Sequence, residues 1–350
     1  MTSVRAPEQE LETLLSVGYI FGGGTGLTPF GRELHDRHEA MRRLCDDVGE
    51  WTGVAVRDTL SQDLTAHLNA GETATQHEYR KVATMRQASY SLGLTDALAE
   101  RGIRPDVVAG SSLGGMIAAC VSGALSRPEL FRLLSFLEEL PLAPAGEPLR
   151  GIAFAWIPRE RSVDWYCEPG RQHVHLAADY GELREGDAKM VLLSGYRSAL
   201  RELAAEAPED QVVVFGVRYG GHSPLQQFVH DALEPFLGQL EICAPVVPLF
   251  SSLREGRLST AEDVRRDILL NTVVTTRMQH IVAGLSAHGV EIAATIGQAL
   301  PVSLFEFPFE NLEVTTVADI EQFTYSLYDL GIELTAEKDH ARAFPRGSVQ

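Results

Sequence analysis

Two stretches of this sequence carry residue types able to do nucleophilic chemistry. Gly110-Ser111-Ser112-Leu113-Gly114 is a G-x-S-x-G sequence, preceded by the short apolar run Pro105 to Ala109 and followed by Met116, Ile117, Ala118, Ala119, Cys120 and Val121. That context reads as strand, tight turn and buried helix. A sharp turn there lifts the Ser112 hydroxyl off the backbone. The helix that follows adds its N-terminal dipole and the free N–H of Leu113, both suited to an oxyanion. A glycine–serine turn without chemistry gives the same five residues; the strand and helix around them single out Ser112 as a nucleophile.

A serine hydroxyl needs a base to take its proton, and the chain has 11 histidines. His222 differs from most of the others. In Tyr219-Gly220-Gly221-His222-Ser223-Pro224-Leu225, two glycines and a proline hold it at a strand-to-helix junction, whereas His67, His230, His280 and His288 fall in helical patterns. A helix-capping histidine is the competing reading of His222. A third feature is the glycine turn Gly22 to Gly26, which follows the apolar run Val17 to Phe21. It lacks G-x-G-x-x-G spacing and a P-loop lysine, so a phosphate cradle fits it less well than a backbone N–H from Gly23 placed against a reacting carbonyl.

The four cysteines are far apart and form no C-x-x-C pair. The close pairs His35/His38 and His173/His175 lack further ligands at metal spacing, so no metal is expected. With 30 Lys and Arg against 48 Asp and Glu, the formal charge of -18 argues against nucleic acid as a partner. No apolar run approaches the roughly 20 residues of a membrane-spanning helix, and Met1 to Leu14 lacks a signal-peptide core. These features lead to the expectation of a cytoplasmic protein.

The elements that must position Ser112 and His222 follow an α/β rhythm. Helical patterns run from Pro29 to about Val48 and from about Arg80 to Arg101. Between about Pro141 and Gly216 the rhythm changes. Strand Gly151 to Trp156, helix Glu160 to Trp165, strands His173 to Ala178 and Met190 to Leu193, helix Tyr196 to Ala205 and strand Gln211 to Val217 make a βαββαβ, ferredoxin-like unit. The expected division is a large catalytic part, 1–143 and 217–350, with a small ferredoxin-like part, 144–216, inserted in it. After it come helix Pro224 to Leu240, strand Val247 to Phe250, helices Ala261 to Leu270 and Thr276 to His288, strand Ile292 to Ile296, and a last helix, Val317 to Leu330, before a polar tail.

The stretches "GIRPDVVAGSSLGGMIAACVSGAL" and "GGHSPL" resemble the nucleophile and histidine segments of the malonyl-CoA:acyl carrier protein transacylases, a family that includes the acyltransferase domains of polyketide synthases. "PVVPLFSSLREGRL", "LLNTVVTTRM" and "GVEIAATIG" are similar to later segments of that family, in the same order, so the resemblance covers roughly Gly18 to Phe307. It implies an α/β-hydrolase-like core with an inserted ferredoxin-like (βαββαβ) subdomain. It also implies Ser112 as the acylated nucleophile, His222 as its base, an oxyanion hole from the N–H groups of Gly23 and Leu113, and Asn271 orienting the imidazole through its main-chain carbonyl. No bound cofactor is implied. The substrates would be acyl thioesters of coenzyme A or phosphopantetheine, the partner an acyl carrier protein, and the chain a monomer.

The departures from the family bear on substrate. Malonyl-specific members place an arginine 25 residues after the nucleophile, where this chain has Leu137; loss of that partner costs a buried carboxylate on the order of 3 to 5 kcal/mol. Gly221 stands in place of a phenylalanine and Gly23 in place of a glutamine, which suggests a larger, uncharged acyl pocket lined by Leu137, Gly221 and Ser111. Ser111 replaces the usual histidine, and its type has no evident reason. The expectation is a freestanding acyltransferase that moves a neutral, non-malonyl acyl group onto a carrier protein in a polyketide or hybrid peptide pathway. A thioester hydrolase of the same fold is the alternative. A docking protein that has lost activity is a third reading, which the intact Ser112 and His222 oppose.

Overall fold

A computed structural model describes residues 16–24, 27–65, 73–217, 219–297 and 301–332. The N-terminal stretch Met1 to Leu14, Thr25 and Gly26 of the glycine turn, His67 and the polar tail from 333 lie outside the described residues.

The first half of the chain builds the two middle strands of a parallel sheet and a helical layer against them. Strand β1 (Ser16–Phe21) is followed by helices α1 (Arg32–Arg37), α2 (Glu39–Thr52), α3 (Val56–Thr59) and α4 (Thr73–Glu100). The helix expected from Pro29 is thus two helices, because His38 is extended (φ -113°, ψ 120°) and restarts the chain. Strand β2 (Val107–Gly110) runs into α5 (Leu113–Val121), and α6 (Arg127–Glu139) follows. Ser126 starts α6 by accepting from the Glu129 N–H, with proline in the first turn.

The inserted segment supplies β3 (Arg150–Pro158), β4 (Val174–Glu182), β5 (Ala188–Tyr196), α7 (Arg197–Glu206) and β6 (Val212–Val214). The last part holds α8 (Gln227–Leu237), β7 (Leu249–Ser251), β8 (Arg257–Leu258), α9 (Ala261–Leu270), β9 (Thr276–Arg277), α10 (Met278–Ala287), β10 (Val290–Ile296), β11 (Glu310–Val314) and α11 (Val317–Asp329).

The large sheet has the order β11-β10-β1-β2-β7-β8, parallel except for the β7–β8 edge. Its central strands are almost continuously buried, as expected where helices cover both faces. The order brings β1, β2 and β7 side by side and parallel, so their carboxyl ends share one edge of the sheet, the edge at which ligands bind in open α/β sheets. The fold is an α/β-hydrolase-like core carrying a ferredoxin-like unit.

The second sheet has the order β6-β3-β5-β4-β9. Along β3, buried Gly151, Ala153 and Ala155 alternate with half-buried Ile152, Phe154 and Trp156, and the buried face packs on Leu200 and Leu203 of α7. Two details differ from the sequence reading. The first helix of the βαββαβ unit is only the 3-10 turn Val163–Trp165, in a stretch punctuated by Ser162, Pro169 and Gly170 with no helical run of apolar residues. The fifth strand, β9, comes from 276–277, a segment expected to begin a helix. Among the described residues no helix is long and apolar enough to cross a membrane.

Candidate active site

The β2–α5 turn is built by close packing that only glycine permits. A Cβ at Gly110 would lie 2.1 Å from the Gly114 carbonyl oxygen, and one at Gly114 would lie 2.0 Å from that of Phe21. Between them Ser112 is forced to φ 58°, ψ -124°, in the left-handed half of backbone space. A serine at a helix N-cap normally accepts from the first turn; at this φ it makes no such bond. Its hydroxyl is turned instead toward His222.

His222 Nε2 lies 2.8 Å from Ser112 Oγ, across 110 residues of sequence. His222 also has a positive φ, 54°. It is 6% exposed. Burial pushes its pKa down to about 4, opposed by the backbone of Asn271 and Val274. Those backbone groups come close enough to favour the ring proton, although Nδ1 meets no partner at full hydrogen-bond geometry. The imidazole is therefore neutral at pH 7 and free to take a proton.

The remaining expected residues assemble around this pair. Gly23 packs directly on Ser112: a Cβ there would lie 2.6 Å from Ser112 Cβ and 3.0 Å from the Ser111 carbonyl oxygen. Leu113 is the first residue of α5, so its N–H has no intrahelical acceptor. Asn271, the C-cap of α9, sits beside both partners. Its backbone approaches the imidazole, and its side-chain Nδ2 donates to the Ser112 carbonyl at 3.2 Å. The side-chain bond was not foreseen from the sequence. Ser111 is half-buried and donates its N–H to the Phe21 carbonyl at 3.1 Å, which anchors the turn to β1.

The expected gain of space at Gly23 and Gly221 is corrected by the packing. No room stands beside Gly23, because Ser112 occupies it. A Cβ at Gly221 would lie 2.3 to 2.8 Å from ring atoms and hydroxyl of Tyr219. The aromatic volume lost at Gly221 is replaced by a ring two residues earlier. Leu137 is half-buried on α6 beside Glu138, whose carboxylate is 9% exposed and accepts from Thr84 Oγ1 at 2.8 Å and from Arg80 Nε. Arg80 also donates from Nη2 to the Leu137 carbonyl at 3.4 Å, and its guanidinium lies 5.3 Å from the Tyr219 ring centroid.

Several residues outside the sequence expectation hold the His222 segment. Ser223 Oγ donates to the Gly220 carbonyl at 2.8 Å and lies 3.1 Å from Ser194 Oγ of β5. Arg150, 3% exposed at the start of β3, donates to the Leu225 carbonyl, pairs with Glu147 at 3.2 Å and stacks over Phe228. Arg150 directly precedes the strand expected from Gly151, and its burial shows only in the folded chain. The histidine pairs weighed as metal ligands are engaged elsewhere: His38 with Glu100 at 2.9 Å and His175 with Glu168 at 3.4 Å.

Comparison with known proteins finds relatives over most of the chain. The chain is 30% identical over 259 residues to the polyketide biosynthesis acyltransferase homolog BaeD of Bacillus velezensis, covering 73% of this chain and 75% of that one. It is 24% identical over 324 residues to the malonyl CoA-acyl carrier protein transacylase of Bacillus subtilis, covering 90% and 97%. It matches 6% of the much longer polyketide synthase GfsE of Streptomyces halstedii. Among solved structures, the malonyl CoA-acyl carrier protein transacylase of Clostridium perfringens shares the fold with a TM-score of 0.75 at 18% identity, covering 91% of this chain and 98% of that chain. The family model "Patatin-like phospholipase" matches residues 85–161, the stretch around the nucleophile turn. A buried histidine facing a serine at positive φ, after a strand and before a helix, is an arrangement suited to serine-dependent acyl transfer. The chain belongs to the family of malonyl-CoA:acyl carrier protein transacylases and polyketide synthase acyltransferases.

Proposed function

We propose that this chain transfers an uncharged acyl group from a thioester of coenzyme A or carrier-bound phosphopantetheine to the thiol of an acyl carrier protein. The observation that carries the reading is the 2.8 Å approach of neutral, buried His222 to Ser112 Oγ. Ser112 Oγ attacks the thioester carbonyl as its proton passes to His222 Nε2. The N–H groups of Gly23 and Leu113 hold the oxyanion. The C–S bond then breaks, and the imidazolium returns its proton to the departing thiolate, leaving an acyl ester on Ser112. The carrier thiol attacks that ester while His222 takes the thiol proton, and the proton returns to Ser112 as the new thioester leaves.

A carrier protein as partner is supported by the relatives, one of which is a malonyl-transacylase solved in complex with a type II PKS acyl-carrier protein, 17% identical with a TM-score of 0.72. The uncharged acyl group is supported by Leu137 and by the engagement of the nearby Arg80 with Glu138. Intact-protein mass after incubation with a panel of acyl thioesters tests the proposal. A neutral acyl adduct on the native chain, absent from Ser112→Ala and discharged onto a carrier thiol, is the expected result. Steady release of free acid without transfer would instead assign the hydrolase reaction.

A further inference from the structure

Arg80, Glu138, Thr84 and Tyr219 form a charged cluster that joins the two substituted positions of the acyl side, Leu137 and Gly221. Tyr219 lies against the open face of Gly221, which directly precedes His222. Arg80 lies over the same Tyr219 ring, donates to the Leu137 carbonyl and forms an ion pair with Glu138. Glu138 is pinned from its other oxygen by Thr84. One cation and one anion, both largely out of solvent, thus neutralise each other beside the catalytic pair.

Resting on the uncharged-acyl reading above, we infer that Glu138 is a specificity-determining residue, an internal carboxylate that occupies Arg80 and so denies this guanidinium to an acyl carboxylate. A guanidinium presents a planar fork that fits one carboxylate well. With Glu138 in place, a second carboxylate meets a partner already engaged and a buried negative charge beside it. Without the Glu138 charge, Arg80 becomes a poorly solvated cation with no anion, the state most costly to leave unpaired. An acyl group ending in a carboxylate supplies the missing partner. Thr84 has the same meaning at the other oxygen: it fixes the carboxylate toward Arg80 and limits its escape to solvent.

The test compares malonyl-CoA with butyryl-CoA as donors to the full chain, with initial rates of adduct formation read by intact-protein mass. In Glu138→Gln the malonyl-to-butyryl ratio is expected to rise at least tenfold, and to fall back when Arg80→Met is added. A ratio that stays flat, or a gain that survives Arg80→Met, overturns the inference. Should Glu138→Gln accept neither donor, Thr84→Val, which frees the carboxylate without removing it, must raise the ratio by a smaller factor; a flat ratio there also overturns it. A native chain that loads malonyl as readily as butyryl removes the uncharged-acyl reading itself, which is separate from a butyryl-selective chain whose Glu138→Gln ratio does not move.

Discussion

Ser112 and His222 both stand at positive φ, 58° and 54°, and each such non-glycine residue stores about 1 to 3 kcal/mol of strain. The strain has a geometric use: it turns two side chains from different elements to face each other at 2.8 Å. Because burial holds the imidazole pKa near 4 against an ordinary value of 6.5, His222 loses its proton well below neutrality. We predict that the rate of acyl-enzyme formation stays level from pH 8 to about 5 and falls with a midpoint near 4. A midpoint near 6.5 in single-turnover rates would contradict the buried, neutral base. Gly23→Ala is a second case at this scale. Its Cβ meets Ser112 Cβ at 2.6 Å, and the nucleophile must shift. A loss of acylation of about 100-fold is expected, on the scale of removing one oxyanion donor, with the far-ultraviolet circular dichroism retained.

Helix α9 shows how an element serves the site from its end. Its N-terminus is fixed by a capping box of Thr260 and Asp263, which sets where its C-cap, Asn271, falls. One turn before that cap, Asp267 Oδ1 is buried without a partner. Burial raises the Asp267 pKa to about 6, with Ser251 and Arg254 pulling the other way. The folded chain therefore binds a proton here between about pH 4 and 6 where the unfolded chain does not, so this group destabilises the fold as pH rises through 6. Asp267→Asn is expected to add about 1 to 3 kcal/mol of stability at pH 7.5 and much less at pH 4.5, measured by chemical denaturation at both values. An equal gain at the two pH values would rule out the buried charge as its cause.

Across the whole molecule, Ser112 and His222 sit where the two sheets meet. Ser112 belongs to the large sheet, and the His222 segment is held by Ser194 and Arg150 of the small one. Farther out, buried Asp179 of β4 pairs within the small sheet with Lys189 of β5 at 2.6 Å and Arg277 of β9 at 3.3 Å, and the Arg277 N–H donates to the Ser252 carbonyl, just after β7 of the large sheet, at 2.7 Å. The inserted unit therefore holds the segment that carries His222, and with it the approach of His222 to Ser112. Arg150→Met leaves the Leu225 carbonyl without its donor and is expected to slow acylation by at least tenfold. The readout is the single-turnover rate at saturating donor, with donor affinity little changed. An unaltered rate would mean that the His222 segment holds its position without the small sheet.

The sequence by itself determined the fold class and singled out Ser112 and His222 as candidates for nucleophile and base, since each is a local pattern. A strand, a G-x-S-x-G turn and a buried helix lie within a few residues of one another, and His222 is marked by the glycines and proline beside it. The period-2 and period-3.6 runs are equally local, and they placed α9 to the residue and β10 within two. What only the tertiary structure decided was everything that depends on which distant residue fills a given space. Leu137 reads as an uncharged wall until Arg80 arrives from α4 to pair with Glu138. The anchoring of His222 by Arg150 and Ser194 and the bond from Asn271 to Ser112 are of the same kind. Close packing makes these contacts specific to ångströms, but it joins residues tens to hundreds of positions apart, and no periodicity along the chain records such pairings.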